Sequence, residues 1–139
     1  MWSVKGGFAL CANSRDESVN RRLLVVDYDA VTAETLKLIF ERQDYDVEAC
    51  RTGEEGMSIA ETWQPDIVIA AVILKGMNGL DFAKRVVARY PGCHVILLTT
   101  VVNPWMVDGA RVLGLDLYTK PVYPAVLIDR VGVLLSGLG

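Results

Sequence analysis

The sequence predicts a doubly wound α/β domain, (βα)5, with five parallel strands in the order 2-1-3-4-5. Three observations carry this expectation. Apolar runs rich in β-branched residues recur at residues 23–26, 67–73 and 95–99. Runs with no polar alternation suit strands buried on both faces. The segments between them repeat apolar residues at helical spacing, and strands separated by helices demand right-handed crossovers and a parallel sheet covered on both sides.

Residues 21–27 (RRLLVVD) read as the first strand, ending at Asp27. Residues 32–42 place Leu36, Ile39 and Phe40 on one face, with Ala33 a turn earlier and Thr32, Glu34 and Thr35 as the N-terminal signal. Residues 45–50 alternate Tyr45, Val47 and Ala49 against Asp46, Glu48 and Cys50, the pattern of a second strand at a sheet edge. Thr52 and Gly53 turn the chain into a helix over 54–63, which Gly56 should weaken by about 1 kcal/mol relative to alanine. The third strand is 67–73 and is followed by a Gly-rich loop. A helix over 80–90 turns Phe82, Val86 and Val87 inward and ends at Pro91-Gly92.

Residues 95–99 (VILLT) form the fourth buried strand. Asn103-Pro104 is a helix entrance, Asn as cap and Pro at the first helical position. That helix runs to Leu113 and closes at Gly114. A short strand over 117–119 precedes Lys120-Pro121, and the last helix runs from Pro124 to 135 with an interruption at Gly132.

A length of 139 residues suits one domain. The chain is 52% apolar and 22% charged, with a net charge of −3 and a mean hydropathy of +0.31. No run reaches the roughly 18 apolar residues of a membrane span. The run at residues 8–12 is too short for a secretory signal, and residues 13–22 are polar. Residues 1–20 are therefore expected to form a flexible extension, and 21–139 the folded domain. Cys11, Cys50 and Cys93 share no metal or redox spacing and read as small buried thiols of a cytoplasmic chain. His94, the single histidine, cannot supply a multi-histidine metal site. The acidic balance offers nucleic acid no electrostatic footing, and no membrane partner is expected.

In open α/β sheets, ligands and chemistry sit beyond the carboxyl ends of the strands. Those ends here carry Asp27, Tyr28 and Asp29, then Ala71, Thr99 and Lys120. The segments LLVVD (23–27), PDIVI (65–69), GMNG (76–79), VILLT (95–99) and TKP (119–121) occur in one order over residues 21–136. Together they resemble the receiver domains of two-component response regulators, whose fold is flavodoxin-like. The resemblance implies a module that takes phosphate from a histidine kinase onto an aspartate ending strand three. It also implies an acidic pair that binds Mg²⁺, and a Ser/Thr and a Lys that read the phosphoryl group. Each part has a chemical reason: a carboxylate forms the acyl phosphate, and Mg²⁺ neutralises charge on the phosphoryl oxygens. The hydroxyl and ammonium stabilise the product by charge-assisted hydrogen bonds.

The match is partial. Asp27 falls on the first acidic position, Tyr28 on the second, and Asp29 one residue beyond. Ala71 occupies the phosphoacceptor position, and Lys75 replaces the family's proline four residues later. Thr99 and Lys120 match the phosphate-reading positions. An alanine methyl accepts no phosphate, so the reading is a degenerate pseudo-receiver with no catalytic residue, no cofactor and weak or absent Mg²⁺ binding. Neither Asp29 nor Asp66 would align with both Thr99 and Lys120. An ion pair between Asp27 and Lys120 is expected in place of the metal site, and Thr99 becomes a structural hydroxyl. Between Gly114 and Lys120 the chain is one residue shorter than the family pattern. That puts Leu117 in the place of the aromatic switch residue, or leaves Tyr118 there if the gap falls inside strand five.

The function expected from these residues is a phosphorylation-independent protein-interaction and dimerisation module in bacterial signal transduction. Its face would be helix four, strand five and helix five, with Val102, Trp105, Met106, Tyr118, Val126 and Ile128. Helix five carries more apolar residues than one core stripe requires. The partners would be a second copy, a signalling protein or an effector domain. Two rivals stand beside this reading. One is a small-molecule-binding pseudo-receiver using the pocket near Ala71, Tyr28 and Thr99. The other is a receiver phosphorylated at a non-standard Asp.

Overall fold

In the computed structural model, the described residues are 20–137; the expected extension, including Cys11 and the 8–12 run, falls almost wholly outside them. The elements alternate throughout: β1 (Arg22–Val26), α1 (Ala30–Glu41), β2 (Asp46–Cys50), α2 (Gly53–Trp63), β3 (Ile67–Ala71), α3 (Gly79–Arg89), β4 (His94–Thr99), α4 (Pro104–Leu113), β5 (Asp116–Thr119) and α5 (Pro124–Ser136). All pairings are parallel and the order is β2-β1-β3-β4-β5, as the sequence predicts. No helix among the described residues is long and apolar enough to cross a membrane.

Strand alternation divides the core into two layers. Leu24, Val26, Val68, Ala70, Val95 and Leu97 face a layer holding Phe82, Val86, Met106 and Ala110 from α3 and α4. Leu23, Val25, Ile67, Ile69, Ile96 and Leu98 face Leu36, Phe40, Leu127 and Val131 from α1 and α5. Burying each of the large side chains is worth about 1.5–3 kcal/mol. Every residue of β3 is buried, as befits the central strand.

Several boundaries and details differ from the sequence reading, each for a local reason. β3 ends at Ala71 rather than at residue 73 because the chain folds back at once: the Val72 carbonyl accepts the Gly79 N–H at 2.7 Å, and Ile73 is exposed. Helix α1 starts at Ala30, ahead of Thr32, because Asp29 is its cap; the Thr32 hydroxyl donates to Asp29 Oδ2 at 2.6 Å. Asn103 occupies the cap position of α4, but its side chain makes no capping bond. Gly132 does not interrupt α5; it lies on an open face of a helix that continues to Ser136. Gly56 has a tertiary reason, since a Cβ there would meet the Phe82 ring at 2.8 Å. Cys50 and Cys93 are buried free thiols, and burial pushes both up to about 12, so neither is poised as a nucleophile.

Candidate functional site

Sheet register brings the named residues to one crest. Val26 pairs with Ala70, Ala71 with Leu98, and Thr99 with Thr119. Asp27, Ala71, Thr99 and Lys120 therefore end or follow four adjacent strands, β1, β3, β4 and β5.

Asp27 is only 3% exposed, and both of its carboxylate oxygens are engaged. Oδ2 accepts from Lys120 Nζ at 2.7 Å, and Oδ1 accepts the Asp29 N–H at 2.9 Å. The expected Asp27–Lys120 ion pair is thus present, joining the first and last strands of the crest. Ala71, 4% exposed, presents a methyl group. The Thr99 hydroxyl is turned into its own loop, donating to the Val101 carbonyl at 2.7 Å and accepting the Val101 N–H at 3.3 Å. Asp29 is committed to the start of α1, where the Thr32 hydroxyl holds its carboxyl below the usual carboxylate range.

Two further side chains complete the crest. Tyr28 is 50% exposed, and the ammonium of Lys75 lies 4.6 Å from the centre of its ring. A cation–π contact of this exposed kind is worth about 0.5–1 kcal/mol. Arg51 Nε donates to the Tyr28 carbonyl at 3.4 Å, and Glu54 accepts the Met77 N–H at 3.2 Å, tying the β3–α3 loop to α2. The sequence reading set Lys75 between an internal cation of the vacated pocket and a solvated loop lysine, and did not foresee its stacking on Tyr28. It missed Arg51 altogether, because no periodicity relates loops that meet only through the fold.

These residues do not fit a divalent metal. Mg²⁺ demands near-octahedral oxygen ligation. Among the described residues no group of three or more His, Cys, Asp or Glu converges. Asp27 is held by Lys120, Asp29 caps a helix, and Tyr28 offers a neutral ring with a cation on its face.

The register of β5 decides between the two placements of the aromatic. Leu97 pairs with Leu117 and Leu98 with Tyr118. Leu117 packs with the α3–α4 layer and Tyr118 with the α1–α5 layer. Leu117 is therefore the residue of β5 that faces the α4 side, and the Tyr118 ring faces away from α4.

The expected interaction face needs correction. Val102 and Trp105 are exposed, Trp105 at 47%. Met106, at 1%, is core and not surface, because it packs in the layer with Phe82 and Val86. Tyr118 and Ile128 are partly buried against the α1–α5 layer, as are Leu134 and Leu135. Most of the apolar excess of α5 is therefore core; Val126 and Val133 are its exposed large apolar residues. On the same helix as Trp105, Arg111 pairs with Asp108 at 3.5 Å, and Arg111 lines a shallow surface with Val102.

A family model described as the response regulator receiver domain matches residues 23–132. The chain belongs to the receiver family. This receiver is 32% identical over 116 residues to the DNA-binding response regulator MtrA of Mycobacterium tuberculosis, covering 83% of the chain and 50% of that protein. It is 30% identical over 122 residues to the alkaline phosphatase synthesis transcriptional regulatory protein PhoP of Bacillus subtilis, covering 84% and 49%. The chain spans about half the length of the curated relatives it matches. Among solved structures, a CheY-like receiver domain from Methanospirillum hungatei aligns with a TM-score of 0.81 at 26% identity, covering 86% of this chain and 96% of that one. The receiver domain of a signal transduction histidine kinase from Syntrophus aciditrophicus aligns at 0.76 and 31% identity, covering 85% and 92%.

Proposed function

We propose that this receiver acts without phosphorylation, as a protein-interaction module that presents the α4 side of its surface to a second copy, a signalling protein or an effector domain. The observation that carries the reading is the crest itself. The residue ending β3 is Ala71, and the carboxylate of Asp27 is already neutralised by Lys120 at 2.7 Å. Phosphoryl transfer to a side chain needs a nucleophilic heteroatom, and a methyl supplies none. Val101, Val102 and Trp105 form an exposed apolar run at the start of α4, and the Arg111–Asp108 pair on the same helix suits an interface rim.

Two measurements test this. Incubated with acetyl phosphate and Mg²⁺, the protein is expected to show no added phosphate by intact mass; a gain of one phosphate would favour a non-standard Asp and sink the proposal. For the surface, Trp105→Ala combined with Val102→Ser is expected to lower the average mass in size-exclusion chromatography with light scattering. An unchanged monomer in both proteins would remove self-association and leave a heterologous partner. Ile128→Glu is no probe of the surface, because Ile128 packs on the core.

One observation supports a small-molecule reading. A groove of about 490 Å³ between α1 and the β5–α5 loop is lined by Val31, Leu36, Ile39, Leu98, Lys120 and Leu127, a size that suits ligand sites. It reaches Lys120 but none of Tyr28, Ala71 or Thr99, so a ligand would sit beside the position expected from sequence.

A further inference from the structure

We infer that Lys75 is a second cation of this crest beside Lys120: its ammonium, stacked on Tyr28, clasps the β1–α1 loop to the β3–α3 loop and adds to the charge that keeps divalent metal out. The inference rests on reading Asp27, Tyr28 and Ala71 as a site without metal-dependent phosphoryl transfer, and the test separates the two.

Both partners of the contact are anchored. Tyr28 follows Asp27, which is fixed by Lys120, and its own carbonyl accepts from Arg51. Lys75 precedes Gly76, which adopts a left-handed φ of 73°, and the next N–H, of Met77, is held by Glu54. The two loops leave adjacent strands, paired at Val26 and Ala70, so they rise side by side from the sheet. With both backbones held, the cost of the contact is confined to the rotamer freedom of the two side chains. The ring's negative face attracts the ammonium. The same charge then repels a doubly charged ion brought to Asp27, and a restored carboxylate at position 71 would not remove that repulsion.

The test has three arms, all on the full chain. By NMR, the Lys75 side-chain methylene protons next to the ammonium are expected upfield of ordinary lysine and return to ordinary positions in Tyr28→Leu. Ordinary positions in the wild type overturn the clasp. In Mg²⁺ titrations, Ala71→Asp/Lys75→Met is expected to bind at least tenfold more tightly than Ala71→Asp alone, with Lys75→Gln as a second replacement. Equal titrations, including two that show no binding, overturn the exclusion of metal. Phosphate added to the wild-type chain by acetyl phosphate would instead overturn the underlying reading of the crest, whatever the other two arms give.

Discussion

Gly79→Ala is expected to destabilise the domain by more than about 3 kcal/mol, the largest effect of a methyl group added at any described glycine. A Cβ at position 79 would lie 1.9 Å from the Ala71 carbonyl oxygen and 2.7 Å from Val72 Cα. Both are backbone atoms, so no rotamer change relieves the overlap. Either α3 moves away from the end of β3 or the β3–α3 loop opens, and both break the 2.7 Å bond from the Gly79 N–H to Val72. Gly132→Ala is the control of opposite sign. Its Cβ meets nothing within 4 Å in mid-helix, so a gain of about 0.5–1 kcal/mol is expected from helix propensity. Urea denaturation of the three proteins checks both, and a Gly79→Ala variant within about 0.5 kcal/mol of wild type would refute the close approach.

Lys120→Met is expected to cost about 2–3 kcal/mol. Removing one member of a buried pair leaves an uncompensated charge, typically worth about 3–5 kcal/mol. Here Lys120 keeps a side-chain exposure of 20%, so water offsets part of that. Asp27 would retain only the Asp29 N–H as donor. Adding Asp27→Asn to Lys120→Met is expected to recover most of the loss, since the carboxylate and not the missing amine is the source of the cost. Strictly additive losses in this cycle would show that the pair is not coupled.

The topology was legible because it is written in local pattern. Four of the strands are marked by apolar runs or alternation, and turn residues such as Gly53, Pro91 and Gly114 punctuate them. Asp27, Ala71, Thr99 and Lys120 were legible because each ends or follows a strand, a position that strand recognition alone supplies. Helix phase was harder. Trp105 and Met106 are neighbours of similar hydrophobicity, and only the docking of α4 on α3 turns Met106 inward; Gly109 marks that approach, its Cβ position 2.4 Å from Leu80. Gly56 looked like a weakness in α2 until the Phe82 ring was found against it. Lys75 and Tyr28 are separated by two strands and two helices, so only sheet register could bring them together. The last helix misled for a related reason: its apolar abundance covers a broad core layer, and composition cannot tell a wide buried stripe from a docking face.

The hydroxyl of Thr99, closed on the carbonyl of Val101, has a bearing on how such a protein would carry information. On the proposed reading the Thr99 hydroxyl stays bonded to its own loop, and the ring of Tyr118, on the other face of β5 from Leu117, is not coupled to it. On that reading the surface around Trp105 then has one affinity rather than two. Occupancy of a partner would rise hyperbolically with the amount of protein present. A domain of that kind reports abundance: its input is how much of it is made and kept, and its response is graded where a phosphorylated relative's would be a change of state.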